Sequence, residues 1–543
     1  MDRRSFLQTA TLGSLGAAAY DPSDFSGRSG RSTTDNRPNV LVILADDLGY
    51  SDLGAYGSTI QTPNLDRLAE EGMRFTQMYN AARCCPTRAS LLTGLEPHQA
   101  GVGHMRADLE MPAYRGHLND RCVTMAEVLG EEGYATLMSG KWHLGKAYEH
   151  WPSARGFDHV SGLLDGASDY FNPPPNRTLL RKNKPFAPKS VAHFESEDNV
   201  MSDFYMTDFI TQEAIDQLKR HGGGEQPFFQ YLSYTAPHWP LQAREEDIER
   251  YRGQFLEGWD QLRRRRYERL AANGLIDREW SLPPRDNRVP PWSEAEDKER
   301  WDLKMAVYAA QVHRMDRGIG RVLDTLDEMG ERDNTLALFL SDNGAAAIGL
   351  GKGEDAPPGS PGSYMSYHRP WAHLSDTPFR KYKVWTHEGG IATPFIAHWP
   401  GEIESGTMSD EVTHVMDLMP TVLDAAGATY PSTFEGRDLT ALEGESLMPV
   451  LRMADRSGHE EVNWLHTDNH AIRQRRWKLV SPDGRESWQL YDLIADRTET
   501  ENRASDHPEV VQKLADRHQA WMDRIGALSW EDYRRRRKTF HSN

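Results

Sequence analysis

Short apolar runs alternate with amphipathic stretches of helix length over most of the chain. The main runs lie at 40–45, 133–138, 227–234, 335–340 and 393–399. Strands that are apolar at nearly every position are typical of a parallel sheet covered on both faces. The stretches between them have the spacing of helices that bury one face. The pattern therefore predicts an α/β fold in which a large, mostly parallel sheet is sandwiched by helices.

The pattern changes after a helical stretch at 415–426. Shorter apolar segments at 464–480 and 488–493 predict a small antiparallel sheet, and 508–525 predicts a helix that covers it. We expect three parts: a leader and linker at 1–37, a large α/β domain at 38–427 and a smaller α+β domain at 428–543.

Two long segments lack a strand pattern. Residues 244–300 are charged, with a helix predicted at 251–273, and residues 345–376 are rich in Gly, Pro, Ser and His, which predicts a long loop. Basic runs at 263–266 and 534–538 lie among acidic residues, and we interpret both as solvated helix faces.

Charge and cysteine content exclude several classes of protein. The formal net charge of −18 over 543 residues argues against a general nucleic-acid binder. The three cysteines are Cys84, Cys85 and Cys122. If Cys84 belongs to a functional site, they leave no disulfide framework, and their spacing is not that of a zinc finger.

The N-terminus resembles a bacterial twin-arginine (Tat) export signal. Arg3 and Arg4 precede a mildly apolar run at 9–19, and a Ser/Gly-rich linker follows. The apolar run is too short and too weakly apolar for a membrane anchor, and no later segment predicts a stable membrane span. We expect export by the Tat machinery to the periplasm or the medium. The alternative interpretation is a short amphipathic helix.

The segment at 83–94 carries the most distinctive chemistry. Pro86 suits the first turn of a helix and Gly94 suits its end, so Cys84 would lie at the helix entrance, where the dipole favours an anion. Arg88 returns to the same face four residues later. A buried cysteine pair or a thiolate nucleophile would also fit these residues. A thiol phosphatase is disfavoured because its loop needs five residues between Cys and Arg, whereas three separate Cys84 from Arg88.

Other polar residues follow the predicted strands, where ligand sites of open parallel sheets lie. These candidates are Asp46, Asp47, Lys141, His143, His238, Asp342 and Asn343. A lone Asp, Lys or His is commonly a cap, a surface group or a structural residue. Adjacent carboxylates after a buried strand favour metal binding, because a cation offsets their repulsion. We expect all of these side chains to converge near Cys84.

The Cys-x-Pro-x-Arg spacing followed by Leu-Thr-Gly at 92–94 resembles the signature of the type I sulfatases of the alkaline phosphatase superfamily. Further matching segments lie at 45–50, 140–145, 236–238, 341–344, 383–390 and 490–493, and the insert between 343 and 383 is most similar to the bacterial arylsulfatase branch. Departures are Cys85 beside the signature residue and Ile391-Ala392-Thr393, where an Arg often follows Gly-Gly-Ile.

The resemblance implies a complete set of site residues. Cys84 would be oxidised to formylglycine by a formylglycine-generating enzyme. Metal ligands would be Asp46, Asp47, Asp342, Asn343 and modified Cys84, and the groups around sulfate would be Arg88, Lys141, His143, His238 and Lys383. Ligands of carboxylate and amide oxygen suit Ca²⁺, with Mg²⁺ less favoured.

The chemistry implied is hydrolysis of a sulfate monoester, either an aryl sulfate or a sulfated carbohydrate. A hydroxyl of the hydrated formylglycine would attack sulfur, with Asp342 a candidate to accept its proton. His238 or Lys383 would protonate the leaving group, and His143 would help to expel sulfate. The alternatives are a phosphonate monoester or phosphodiester hydrolase of the same superfamily, and a catalytically silent protein that binds sulfated glycans.

Overall fold

A computed structural model describes residues 37–186, 203–224, 226–350, 353 and 355–541. The predicted Tat signal and linker at 1–37 lie outside the described residues, apart from Arg37. The described residues from Arg37 onward belong to one compact unit.

Eleven strands of the described chain form one large sheet. They are β1 Asn39–Ala45, β2 Met73–Tyr79, β3 Ala135–Lys141, β4 His159–Leu163, β5 Leu179–Arg181, β6 Lys184–Phe186, β7 Phe228–Ser233, β8 Thr335–Ser341, β9 Ala392–His398, β10 Thr407–Ser409 and β11 Thr413–His414. The order is β10-β2-β9-β8-β1-β7-β3-β4-β5-β6, and β11 also pairs with β2. The central strands β8, β1, β7, β3 and β4 run parallel, whereas β9 is antiparallel to both of its neighbours.

Most helices of the described chain flank this sheet or lie in its connections, and the last two belong to the C-terminal part. They are α1 Pro63–Glu71, α2 Cys84–Thr93, α3 Met125–Glu131, α4 Met206–His221, α5 Glu245–Ile248, α6 Trp259–Ala272, α7 Lys298–Met329, α8 His368–Ser375, α9 Glu388–Ile391, α10 Leu418–Ala426, α11 Met448–Leu451, α12 Pro508–Ile525 and α13 Trp530–His541. None of the described helices is both long and apolar enough to traverse a membrane.

The central strand β1 shows why the apolar runs are continuous. Leu41 and Ile43 belong to one hydrophobic core together with side chains of α4 and α7. Val40, Val42 and Leu44 belong to a second core together with side chains of α2, α3 and α10. Both faces of the strand are therefore buried, which requires an apolar residue at every position. The predicted α/β sandwich is confirmed.

The C-terminal part contains a four-stranded antiparallel sheet. Its strands are β14 Glu461–His466, β15 Asn469–Gln474, β16 Trp477–Ser481 and β17 Gln489–Asp492, and a separate two-stranded ribbon consists of β12 Thr433–Phe434 and β13 Arg437–Asp438. Helix α12 contributes Leu514 to a small core with the sheet. The small sheet and its helix are as predicted, and the domain boundary near residue 428 stays a prediction.

Three local predictions were wrong. Helix α6 begins at Trp259 and not at residue 251, because the preceding segment turns through Gly253 and Gly258, both with positive φ. The segment 345–376 contains helix α8 as well as loop. Arg263 and Arg266 are buried, not solvated. Arg266 donates a 2.6 Å hydrogen bond to Asp52, and Arg263 donates one to a backbone carbonyl.

Candidate active site

Cys84 opens helix α2 at the carboxyl edge of the parallel strands. Arg83 is the N-cap, Pro86 lies in the first turn, and the helix ends at Gly94, whose φ of 69° is left-handed. Cys84 is buried and lines a cavity of about 550 Å³. His143, His238 and Lys383 line the same cavity.

The adjacent carboxylates at the end of β1 are fully buried, and each meets an ammonium group. Lys141 Nζ donates a 2.5 Å hydrogen bond to Asp46 Oδ2. Lys383 Nζ donates to Asp47 Oδ1, which also accepts a 2.6 Å hydrogen bond from Asn343 Nδ2. Asp47 has a φ of 66°, which is uncommon for a residue other than glycine, so the backbone turns sharply to present this carboxylate.

Arg88 is fully buried and holds the ends of three strands together. Nε and Nη2 donate to Asp342 Oδ2 at 3.0 and 2.8 Å. Nη1 donates to the Lys141 carbonyl at 3.0 Å and to Ser233 Oγ at 2.5 Å. Arg88 does not line the cavity, and it contacts the site from behind, through Asp342, the Lys141 carbonyl and Asp46 Oδ1, which lies 3.9 Å from Nη2.

His143 lies against the nucleophile position. Its ring and the thiols of Cys84 and Cys85 lie close enough for their nitrogen and sulfur atoms to surround one ion. The backbone φ of His143 is 63°, and its ring packs on Gly166, where an added Cβ would lie 2.4 Å from ring atom Cε1. Burial lowers the pKa of His143 to about 3, so the imidazole is neutral.

His238 is oriented by its neighbour in sequence. Its Nδ1 lies 2.7 Å from the Trp239 carbonyl, so Nδ1 carries the proton and donates. Nε2 faces Asp47 Oδ2 at 3.4 Å. Burial lowers the pKa of His238 to about 3. Two acceptor atoms thus face each other, an arrangement that a cation between them would stabilise.

The charges around Cys84 favour negative charge at this position. A hydrogen bond from the Cys85 thiol lowers the pKa of Cys84 well below its ordinary value, and Lys383 and Lys141 act in the same direction. Burial alone would lower the pKa of Lys383, but the negative groups Asp47 and Cys84 raise it. Burial and the nearby charge of Asp342 raise the pKa of Asp46.

Several buried oxygens beside the cavity lack hydrogen-bond partners. They are Asp46 Oδ1, Asp47 Oδ2 and Asn343 Oδ1. An unpaired buried oxygen is costly, and three from adjacent strand ends suit a hard divalent cation. Asp46, Asp47 and His238 also have ligand atoms within 4.8 Å of one another. Both oxygens of Asp342 have partners, Arg88 at Oδ2 and the Asp47 amide at Oδ1. The residues present therefore fit a metal ion.

Sequence reasoning missed two residues of the site. Ser233 is the last residue of β7 and accepts from Arg88, so the rule that selected other strand ends would have found it. No sequence pattern marks Gly166, because glycine is required there by the ring of His143, which leaves no room for a Cβ.

The site lies at the carboxyl edge of a parallel sheet, where ligand sites of such sheets are found. It combines a reactive side chain at a helix entrance with paired carboxylates and two buried ammonium groups. This combination is that of a metal-assisted hydrolase of small oxyanion esters. The sulfatase family model matches residues 38–428, and the model described as N-sulphoglucosamine sulphohydrolase, C-terminal, matches residues 379–523. The chain belongs to the sulfatase family and is an enzyme that hydrolyses sulfate esters. The family implies a metal ion and a formylglycine.

Named relatives cover most of the chain. A protein described as an uncharacterized sulfatase of Schizosaccharomyces pombe is 39% identical over 88% of this chain and 92% of its own length. An arylsulfatase of Klebsiella aerogenes is 34% identical over 78% of this chain and 94% of its own length. Among solved structures, Ps i-CgsB in complex with k-i-k-neocarrahexaose is 25% identical, with a TM-score of 0.64 over 89% of this chain and 92% of that chain.

Proposed function

We propose that this sulfatase cleaves sulfate monoesters at residue 84 after Cys84 is converted to formylglycine, with Ca²⁺ bound at the ends of β1 and β8. The observation that carries the proposal is the set of unpaired buried oxygens on Asp46, Asp47 and Asn343, next to the cavity that Cys84 lines. As formylglycine, residue 84 would supply a hydrated aldehyde, and a bound cation would make its hydroxyl acidic at neutral pH.

The donor set favours Ca²⁺ over Mg²⁺. The proposed ligands are Asp46, Asp47, Asp342, Asn343 and modified residue 84. All of these supply oxygen, and Ca²⁺ accepts many protein oxygens in a flexible geometry. Mg²⁺ prefers to keep several waters, which a fully buried set of side chains disfavours.

The charged side chains of the site have separate tasks in this proposal. We assign Lys383, which lines the cavity, to the charge that develops on the sulfuryl oxygens, and such fixed charge is commonly the largest catalytic contribution. Lys141 has the same proposed role, although its ammonium group is bonded to Asp46 and it does not line the cavity. His143 lies against residue 84, where a neutral imidazole accepts a proton. Arg88 fixes Asp342, which is the candidate proton acceptor.

Protonation of the leaving group falls to His238 or Lys383, since both line the cavity. Lys383 uses one N–H on Asp47 and has two others. The neutral His238 donates its single ring proton from Nδ1 to Trp239, and its Nε2 is an acceptor, so the proposal favours Lys383 for this step. The cavity volume of about 550 Å³ admits the ring of an aryl sulfate or one sugar unit.

The experiment uses protein produced with a formylglycine-generating enzyme and measures hydrolysis of 4-nitrophenyl sulfate and of a matched 4-nitrophenyl phosphodiester. We expect faster sulfate release, loss of activity with chelator, and recovery with Ca²⁺ better than with Mg²⁺. Ca²⁺ should also raise the melting temperature of wild-type protein but not of Asp47→Asn. Faster phosphodiester cleavage, or binding of sulfated glycan without any turnover, would overturn the proposal.

We also propose Tat-dependent export to the periplasm or the medium, supported by Arg3 and Arg4 in the sequence. Cell fractionation of a bacterium expressing the full chain tests this. Wild type should be found outside the cytoplasm, and the double variant Arg3→Lys/Arg4→Lys should remain inside. Equal distribution of both would contradict export by this route.

A further inference from the structure

The wall of the active-site cavity is rich in arginine. Five arginines line it, namely Arg83, Arg106, Arg177, Arg288 and Arg369. No Asp or Glu among the described residues lines it. These arginines are additional to Lys383, which faces the proposed sulfate position.

On one side of the cavity, the single carboxylate of Asp165 forms ion pairs with three basic side chains. Asp165 Oδ1 lies 3.1 Å from Arg106 and 3.3 Å from Arg177, and it also contacts the ammonium of Lys146. A single negative charge therefore leaves this group of side chains with a positive excess. The side chain of Asp165 is fully buried and does not line the cavity, whereas Arg106 and Arg177 line it and their side chains are 29% exposed.

Two further arginines have no acidic partner in the described part of the chain. Arg83 Nε contacts only the sulfur of Met105, at 3.5 Å. Arg369 Nε is buried without a hydrogen-bond partner. Arg288 is different, because it pairs with Asp286 at 2.7 Å.

Aromatic side chains complete the wall. Trp239 and Trp385 both line the cavity, and the guanidinium of Arg288 lies 5.2 Å from the Trp385 ring. Flat apolar faces suit the aryl or sugar ring of an alcohol, and the unpaired guanidinium groups beside them suit a negatively charged substituent on that ring.

We propose that the preferred substrates are sulfate esters whose alcohol part carries a second anionic group, such as a carboxylate or another sulfate, bound by Arg83 and Arg369. The crowding of cations in one concave site supports this, because like charges in a half-enclosed cavity repel one another until an anion binds. The inference rests on the proposed function, since the scissile sulfate must lie at residue 84.

The test compares 4-(carboxymethyl)phenyl sulfate with the neutral 4-(carbamoylmethyl)phenyl sulfate. The methylene group separates the substituent from the phenol, so the two leaving groups are closely matched. We measure kcat/KM for both esters with wild type, Arg369→Gln and Arg83→Gln. Arg264→Gln is the control, because Arg264 is exposed on α6 and does not line the cavity, yet its loss changes the net charge equally.

Wild type should prefer the anionic ester by roughly tenfold, the value expected for one charged hydrogen-bonding contact. Arg369→Gln and Arg83→Gln should each reduce this ratio, mainly through KM, and Arg264→Gln should retain it. Equal kcat/KM for the two esters in wild type, or an unchanged ratio in both cavity variants, would overturn the inference. If modified wild type cleaves neither ester, the proposed function fails, whereas cleavage without preference contradicts only this inference.

Discussion

The substitution Arg88→Lys tests whether the buried guanidinium holds the site together. Arg88 donates four hydrogen bonds, two to the Asp342 carboxylate, one to the Lys141 carbonyl and one to Ser233 Oγ. Lysine keeps the positive charge near Asp342 but has one nitrogen, whereas the planar guanidinium has three. The lysine ammonium therefore cannot bond to the Asp342 carboxylate and also to the Lys141 carbonyl and Ser233 Oγ.

The expected cost follows from the bonds that are lost. At least two of the four hydrogen bonds cannot form with lysine, and charged hydrogen bonds contribute about 1.5 kcal/mol or more each. The free energy of unfolding should therefore fall by about 3 kcal/mol. Asp342 would also lose its fixed position, and a displacement of about 1 Å at a reacting group can reduce kcat about a hundredfold.

Equilibrium urea unfolding followed by tryptophan fluorescence measures the stability, and hydrolysis of 4-nitrophenyl sulfate measures kcat. The matched control is Arg264→Lys, which is exposed and should stay within about 0.5 kcal/mol of wild type. If Arg88→Lys unfolds at the wild-type urea concentration and keeps wild-type kcat, the assigned role of Arg88 is refuted.

Two further predictions concern a close contact and a buried acid. Gly166→Ala should reduce kcat about a hundredfold while the protein stays folded, because the new Cβ displaces the His143 ring; an unchanged rate would contradict the contact. Burial raises the pKa of Glu96, which accepts a 2.9 Å hydrogen bond from Trp521, to about 7. Because the folded-state pKa lies above the unfolded value, the stability of wild type should fall as pH rises from about 4.5 through about 7, by about 3 kcal/mol. In Glu96→Gln this contribution is absent, so between pH 5 and pH 8 the melting temperature of the variant should fall less than that of wild type. An equal fall in both proteins would contradict the raised pKa of Glu96.

The central sheet was predictable because burial on both faces leaves a direct trace in the sequence. Each parallel strand is an uninterrupted apolar run, and the polar residues that follow it meet at one edge. The same reasoning predicted that Asp46, Lys141 and Asp342 lie near one another. It could not give the direction of β9, because an apolar run has the same pattern in either orientation.

Residues held by distant partners were not predictable. Arg266 lies in a basic run with the composition of an exposed face, but its partner Asp52 is 214 residues away in the chain. Gly166 is small because of the His143 ring, which belongs to another segment. Such contacts depend on tertiary packing, and local sequence patterns carry no trace of them.

The shape of the cavity was also beyond the sequence. Arg83, Arg177 and Arg369 lie far apart in the chain, and each resembles an ordinary surface arginine until the fold brings them to one wall. The proposed preference for a second anionic group on the substrate therefore rests on the structure and not on the family signature.

In the proposed reaction, residue 84 acts as a formylglycine and not as a thiol. The most direct measurement is mass spectrometry of the peptide that spans residue 84, on the same preparation whose sulfatase activity is measured. Active protein should carry an aldehyde in place of the Cys84 thiol, its activity should be proportional to the aldehyde fraction, and folded Cys84→Ala should show no turnover. Full activity in protein that carries only the thiol, or in Cys84→Ala, would contradict it.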